Sequence, residues 1–155
     1  MTGDRLREHV AQGKCQCLCD QRKKFVVQEK GRSYRLENPH GQEVCQIRID
    51  GCFLSAEEGK RCDYLFRVDA MRTAFFVELK GSDLLHAVRQ IQDSWETLSR
   101  DLAGDVVNAR IVVTRVNVPN IENNPELLDL RKKIAKTQGS LMHKAATITD
   151  TLAKI

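Results

Sequence analysis

Leu84, Val88, Ile91, Trp95, Leu98 and Leu102 recur at steps of three and four, with charged residues between them. That spacing predicts an amphipathic helix with one apolar stripe against a sheet. Ser82 suits its N-cap and Gly104 lies near its end. Pro125 opens a second helix that runs to about Thr137 and is stopped by Gly139. A short helix is also predicted near the start, in DRLREHVAQ, residues 4–12.

Between these segments the period is two. KKFVVQEKGRSYRLENPHG reads as two short strands around Gly31, closed by Asn38-Pro39-His40-Gly41. EVCQIRID alternates and is rich in β-formers. CDYLFRV and TAFFVEL are near-continuous apolar runs, as expected of strands covered on both faces, with DAMR turning between them. DVVNARIVVTRV reads as another interior strand and AATIT as a last short one. A strand meander followed by helix, strand and helix predicts an α/β fold. The crossover from TAFFVEL through the helix to ARIVVT is long enough to be parallel and right-handed. The expected architecture is a mixed central sheet with helices on both faces. At 155 residues the chain suits a single domain over 1–155, with its core at about 43–115.

The hairpin fixes a register. Centred between Ala70 and Met71, it pairs Tyr64 with Val77, Leu65 with Phe76, Phe66 with Phe75 and Arg67 with Ala74, and sets Asp63 opposite Glu78. Strand alternation points Glu78 and Lys80 the same way, and Lys80 falls beside Arg61 on that face. Carboxylates so opposed have Cβ atoms about 5 Å apart and repel unless something positive lies near. Two arrangements meet that need. One is a divalent cation. The other is a salt-bridge cluster closed by Arg61 and Lys80. Hard oxygen ligands suit Mg2+, which takes one or two carboxylates and fills its remaining positions from water and phosphate. Lys80 beside the ion would orient or deprotonate a water, or stabilise developing negative charge. The free N–H groups of the helix beginning near Ser82 favour an anion close by.

The formal charge of +4 adds less than its distribution. Basic residues crowd the first 35 positions, Arg32 and Arg35 among them, and the stretch after Leu130, with Lys132 and Lys133. Basic flanks around an acidic centre suit a polyanion, and solvated lysines serving solubility are the alternative. No apolar run is long enough to span a membrane, and the start MTGDRLREHV lacks the apolar core of a signal peptide, so a cytoplasmic protein is expected. Of the six cysteines, Cys15, Cys17 and Cys19 alternate in CQCLCD and would share one side of a strand, while Cys45, Cys52 and Cys62 are spread out. In the cytosol reduced thiols are expected. C-x-C-x-C has no matching second pair for a zinc site, although a module built on these thiols is a further alternative. His9, His40, His86 and His143 read as surface residues and Trp95 as core. There is no G-x-S-x-G and no phosphate-binding P-loop.

Asp63, then VELK on the next strand, then an amphipathic helix, resembles the PD-(D/E)XK nuclease superfamily with its restriction-endonuclease-like core. The resemblance covers roughly Glu43 to Thr114. It implies a metal-dependent nuclease that hydrolyses phosphodiester bonds of nucleic acid, DNA foremost. Asp63, Glu78 and the peptide carbonyl of Leu79 would hold Mg2+ or Mn2+, and Lys80 would assist the attacking water. Glu8 would be the accessory acid, with Glu43 and Asp50 as rivals, and Gln90 or Gln92 the accessory helix glutamine. Arg61, Arg32, Arg35, Lys132 and Lys133 are the candidate nucleic-acid contacts. A nuclease this small could treat two strands as a homodimer. Cys62 stands where the family often has proline, and the helix glutamine is not followed by tyrosine at the family's spacing. The alternative is a noncatalytic protein on the same fold: a binding protein, an inhibitor or an immunity protein.

Overall fold

Every residue of Thr73–Leu79 is buried. A strand reaches that state only with a neighbour on each edge and a layer on each face. The computed structural model, which describes residues 4–13, 17–53, 62–79, 83–114 and 121–154, supplies all four. Its first half holds α1 (Asp4–Ala11), β1 (Leu18–Asp20), β2 (Lys24–Glu29), β3 (Arg32–Glu37), β4 (Val44–Arg48) and β5 (Tyr64–Val68). Then come β6 (Thr73–Leu79), α2 (Leu84–Thr97), β7 (Val106–Val113), α3 (Pro125–Lys136), β8 (Leu141–Ala145) and β9 (Thr147–Thr151).

Six strands form one mixed sheet in the order β1-β4-β5-β6-β7-β8. β4, β5 and β6 run antiparallel as a meander. β7 and β8 lie parallel to β6, each reached through a helix, which is the α/β crossover the sequence predicts. The β5–β6 register is also the predicted one, with Tyr64 across from Val77, Leu65 from Phe76, Phe66 from Phe75 and Arg67 from Ala74.

The layers differ from expectation. The three α-helices among the described residues pack on one face: Leu6 of α1, Val88 and Ile91 of α2 and Leu130 of α3 join one apolar core with Leu65 and Phe76. The other face carries no helix among the described residues. It is covered by a second sheet, β2-β3-β9, whose Phe25, Tyr34 and Ile148 pack on Phe66, Phe75 and Val77. β2 has one apolar side only, with Phe25 and Val27 buried and its other positions exposed. A strand with one dry face can roof a sheet but cannot sit in the middle of a covered one.

The C-terminal strand splits where one was predicted. β8 ends at Ala145 and β9 starts at Thr147, with Ala146 at the corner in the left-handed region, φ 68°. Its N–H donates to Val113 O at 3.0 Å and its carbonyl accepts from Ser33 N at 2.8 Å. The corner is thus bonded to both sheets. A buried ion pair ties the sheets again. Asp150 Oδ2 on β9 accepts from Arg110 Nε on β7 at 2.7 Å and from the Tyr34 hydroxyl on β3 at 2.8 Å.

Helix ends follow local chemistry. Asp83 caps α2 by accepting the His86 N–H at 3.0 Å, where Ser82, outside the described residues, was expected. Asn124 caps α3 ahead of Pro125. After α3, Gln138 takes the left-handed conformation, φ 73°. Gly139 is required by proximity, since a Cβ there would stand 1.7 Å from Val107 O.

Candidate active site

β5 begins one residue after Asp63, and β6 ends one residue after Glu78. The antiparallel register therefore brings the two acids together at one end of the central sheet. Each carboxylate grips the other's strand. Asp63 N donates to Glu78 Oε1 at 2.9 Å, and Leu79 N donates to Asp63 Oδ2 at 2.8 Å. Glu78 is fully buried and Asp63 half-buried. Asp63 lines a cleft of about 220 Å3 with Gln28, Glu29, Arg48 and Tyr64, which gives Asp63 an opening on one side.

α2 positions the residue in front of Asp63. Ser94 Oγ accepts the Cys62 N–H at 2.9 Å and donates to the Gln90 carbonyl at 2.7 Å. Burial, and then the charge of Glu78, push the Cys62 thiol well above its ordinary range; Asp63 and Asp50 add to the rise while the Ser94 contact opposes it. Three carboxylates, Glu78, Asp63 and Asp50, thus act on one point. The sequence marks Asp50 only as a rival accessory acid.

The donor set fits a hard divalent cation. Two carboxylates converge, and the N–H of Leu79 is bonded to one of them. Lys80 and Arg61, the other members of the predicted constellation, lie outside the described residues. Gln90 is buried on α2, one turn before Ser94. Glu8 is exposed on α1, a helix that packs on β1 and β4 at the sheet's far edge. Its rival Glu43 pairs with Arg7 at 2.7 Å.

Arg32 is buried where β3 begins and donates from Nη1 to Thr114 Oγ1 at 2.9 Å. Thr114 follows β7, whose Val112 lies beside Leu79, so Arg32 belongs to the acid end of the molecule. Its Nε is buried without a hydrogen-bond partner, and no carboxylate pairs with it among the described residues. It lines a second cleft, of about 510 Å3, which shares Gln28 and Glu29 with the first. Arg35 is exposed on the same strand near Glu37, at 3.6 Å. Lys132 and Lys133 lie elsewhere, exposed on α3; Lys133 borders a groove between α2 and α3 and pairs with Asp129 at 3.6 Å.

Sequence reasoning missed Arg48, Tyr64 and Ser94. Ser94 carried a signal: a small polar residue on the buried side of the helix, one turn after Gln90. Arg48 and Tyr64 become cleft residues only once β2 is laid over the sheet.

The cysteines also depart from expectation. Cys19 and Cys45 face each other across β1 and β4 and form a disulfide, and Cys52 is disulfide-bonded as well. Cys17 and Cys62 are buried free thiols. Cross-strand opposition holds Cys19 and Cys45 side by side, and neither spacing nor composition discloses which strand β1 pairs with. Two histidines are not simple surface groups: His9 packs edge-on to Phe53 with ring centroids 5.0 Å apart, and His143 meets Glu122 at 2.6 Å. Cys15 lies outside the described residues. No helix among the described residues is long and apolar enough to cross a membrane. No family model, curated protein or solved structure matches the chain.

Proposed function

We propose that the chain is a metal-dependent nuclease of the PD-(D/E)XK type, acting on phosphodiester bonds of nucleic acid, DNA foremost. The observation that carries this reading is the interlocked pair Asp63–Glu78, with Asp63 lining a cleft and accepting the Leu79 N–H. Asp63, Glu78 and the Leu79 carbonyl would hold Mg2+ or Mn2+. When bound, the ion would lower the pKa of a coordinated water and neutralise charge on the scissile phosphate.

The chain's own groups do the rest. Lys80, two residues beyond Glu78, orients the attacking water or takes its proton. Arg32, a buried cation at the acid end, receives a substrate phosphate, since a guanidinium held dry with one hydroxyl partner gains from an anion. Arg35, exposed on the opposite face of β3 from Arg32, and Arg61 would be further contacts to nucleic acid. Ser94, through Cys62, keeps Asp63 in line with Glu78.

One observation favours a second reading, a noncatalytic binding protein. Glu78 is fully buried and its Oε1 already accepts a backbone N–H, as in a purely structural clamp. The two readings separate in one experiment. Single- and double-stranded DNA and RNA are incubated with Mg2+ or Mn2+ and the wild-type chain, Glu78→Gln or Lys80→Ala. Cleavage by wild type, lost in both folded variants, supports the nuclease. A wild type inert on every substrate, with no Mn2+ heat in calorimetry, overturns it in favour of the binding protein.

A further inference from the structure

A second cluster adjoins the acid cleft through Arg48, which lines the cleft with Asp63 and donates its N–H to Cys17. His9 comes from α1, Cys17 precedes β1, and Cys52 sits in the turn after β4. One ligand atom from each lies within 4.8 Å of the other two. The cluster is built in. Cys17 is buried, and its Sγ accepts the Arg48 N–H at 3.3 Å. His9 Nε2 stands 3.5 Å from Cys52 Sγ, and its ring is set by Phe53. Tetrahedral zinc, with Zn–S about 2.3 Å and Zn–N about 2.0–2.1 Å, separates its ligands by roughly 3.5–3.8 Å. His9 and Cys52 already meet that spacing and Cys17 lies within 4.8 Å of both, and a mixed nitrogen–sulfur set selects zinc over the hard cations suited to Asp63 and Glu78.

In this structure Cys52 is in a disulfide, so its sulfur is not available as a thiolate, and Cys19–Cys45 is closed beside it. We propose that reduction converts this corner into a zinc site held by His9, Cys17 and Cys52. A dithiol reductant delivers two electrons and two protons to each disulfide, yielding two thiols, and is itself oxidised to a cyclic disulfide. Zinc then displaces the thiol protons of Cys17 and Cys52 to solvent while His9 binds through a neutral ring nitrogen. A water fills the fourth position.

The exchange has a structural purpose. β1 is only three residues long and is the edge strand of the central sheet. The Cys19–Cys45 bond fastens it to β4 under oxidising conditions. Zinc would hold α1, β1 and the turn after β4 together once those bonds are gone.

The test uses the full chain, reduced under anaerobic conditions and titrated with Zn2+ against a chromophoric chelator, and with Co2+ followed by absorbance. The reduced wild type is expected to bind one equivalent more than the oxidised chain and to show tetrahedral cobalt bands with thiolate charge transfer. The oxidised chain is expected to lack those bands, since any ion at Asp63 and Glu78 has oxygen ligands only. His9→Gln and Cys17→Ser should each weaken binding by about tenfold or more. His9 is half-buried, so its variant keeps the fold, which circular dichroism of the oxidised form verifies. A reduced wild type without zinc uptake, equal affinity in both variants, or equal uptake by the oxidised chain would each overturn the proposal.

Discussion

Asp63 Oδ2 accepts the backbone N–H of Leu79 at 2.8 Å. The carboxylate that would bind metal therefore also fixes the peptide whose carbonyl would complete the metal site. Charge and scaffold are two duties of one side chain, and substitution separates them. Asp63→Asn keeps an acceptor for Leu79 while deleting the charge, whereas Asp63→Ala removes both. Both variants should lose Mn2+ binding and cleavage. In urea denaturation the alanine variant should be weaker than the asparagine variant by about 1–3 kcal/mol, the cost of a buried N–H left without its acceptor. Equal stabilities would remove the scaffold duty from Asp63.

Arg32 is expected to matter for binding and not for folding. Arg32→Leu should lower affinity for nucleic acid across sequences and reduce the slope of log K against log salt by about one. Its thermal stability should match or exceed wild type, because an isolated buried cation is costly to keep. A clear loss of stability with an unchanged salt slope would make Arg32 a structural residue.

The pair Arg110–Asp150 behaves in the opposite way. Asp150→Ala strands a guanidinium that is 5 % exposed, and should cost about 3–5 kcal/mol in chemical denaturation. Replacing both partners by apolar residues, Arg110→Met with Asp150→Leu, should recover most of that loss. Tyr34→Phe, which removes only the second donor to Asp150, should cost about 1 kcal/mol.

Much of the acid site was legible because its information is local. A turn at residues 69–72 and two apolar runs fix a register, and the register alone sets Asp63 opposite Glu78. The amphipathic stripe of α2 and the crossover to β7 are equally local. What covers the sheet was not legible. Phe25 and Val27 alternate with polar neighbours whether their hairpin extends the main sheet or roofs it, and β9 joins β3 across a separation no short window contains. Expecting helices on both faces filled that gap with the commoner layer. The cysteines failed for a related reason: CQCLCD gives one side of a strand, but the partner Cys45 depends on β1 pairing with β4.

Stability should fall at alkaline pH. Burial holds the thiol of Cys62 well above its ordinary value of 9.0, and the hydroxyl of Tyr34 well above 10.0. Above pH 9 the unfolded chain releases the Cys62 proton while the folded chain keeps it. The native state then binds more protons, and stability declines as pH rises. Below pH 9 both states keep this proton and its contribution is constant. Denaturation midpoints of the wild type should therefore drop from about pH 9 upward, and Cys62→Ala should flatten the first part of that decline. An identical slope in the variant would assign the effect elsewhere.

Ser33 and Thr147 meet across β3 and β9 although 114 residues separate them in sequence. On the ribosome, the β2–β3 hairpin emerges early and waits, without its third strand, for Thr151 to clear the exit tunnel. Gln28 and Glu29, which wall the opening above Asp63, belong to that waiting hairpin. A nascent chain would thus carry its acid pair under an unfinished roof until β9 pairs with β3.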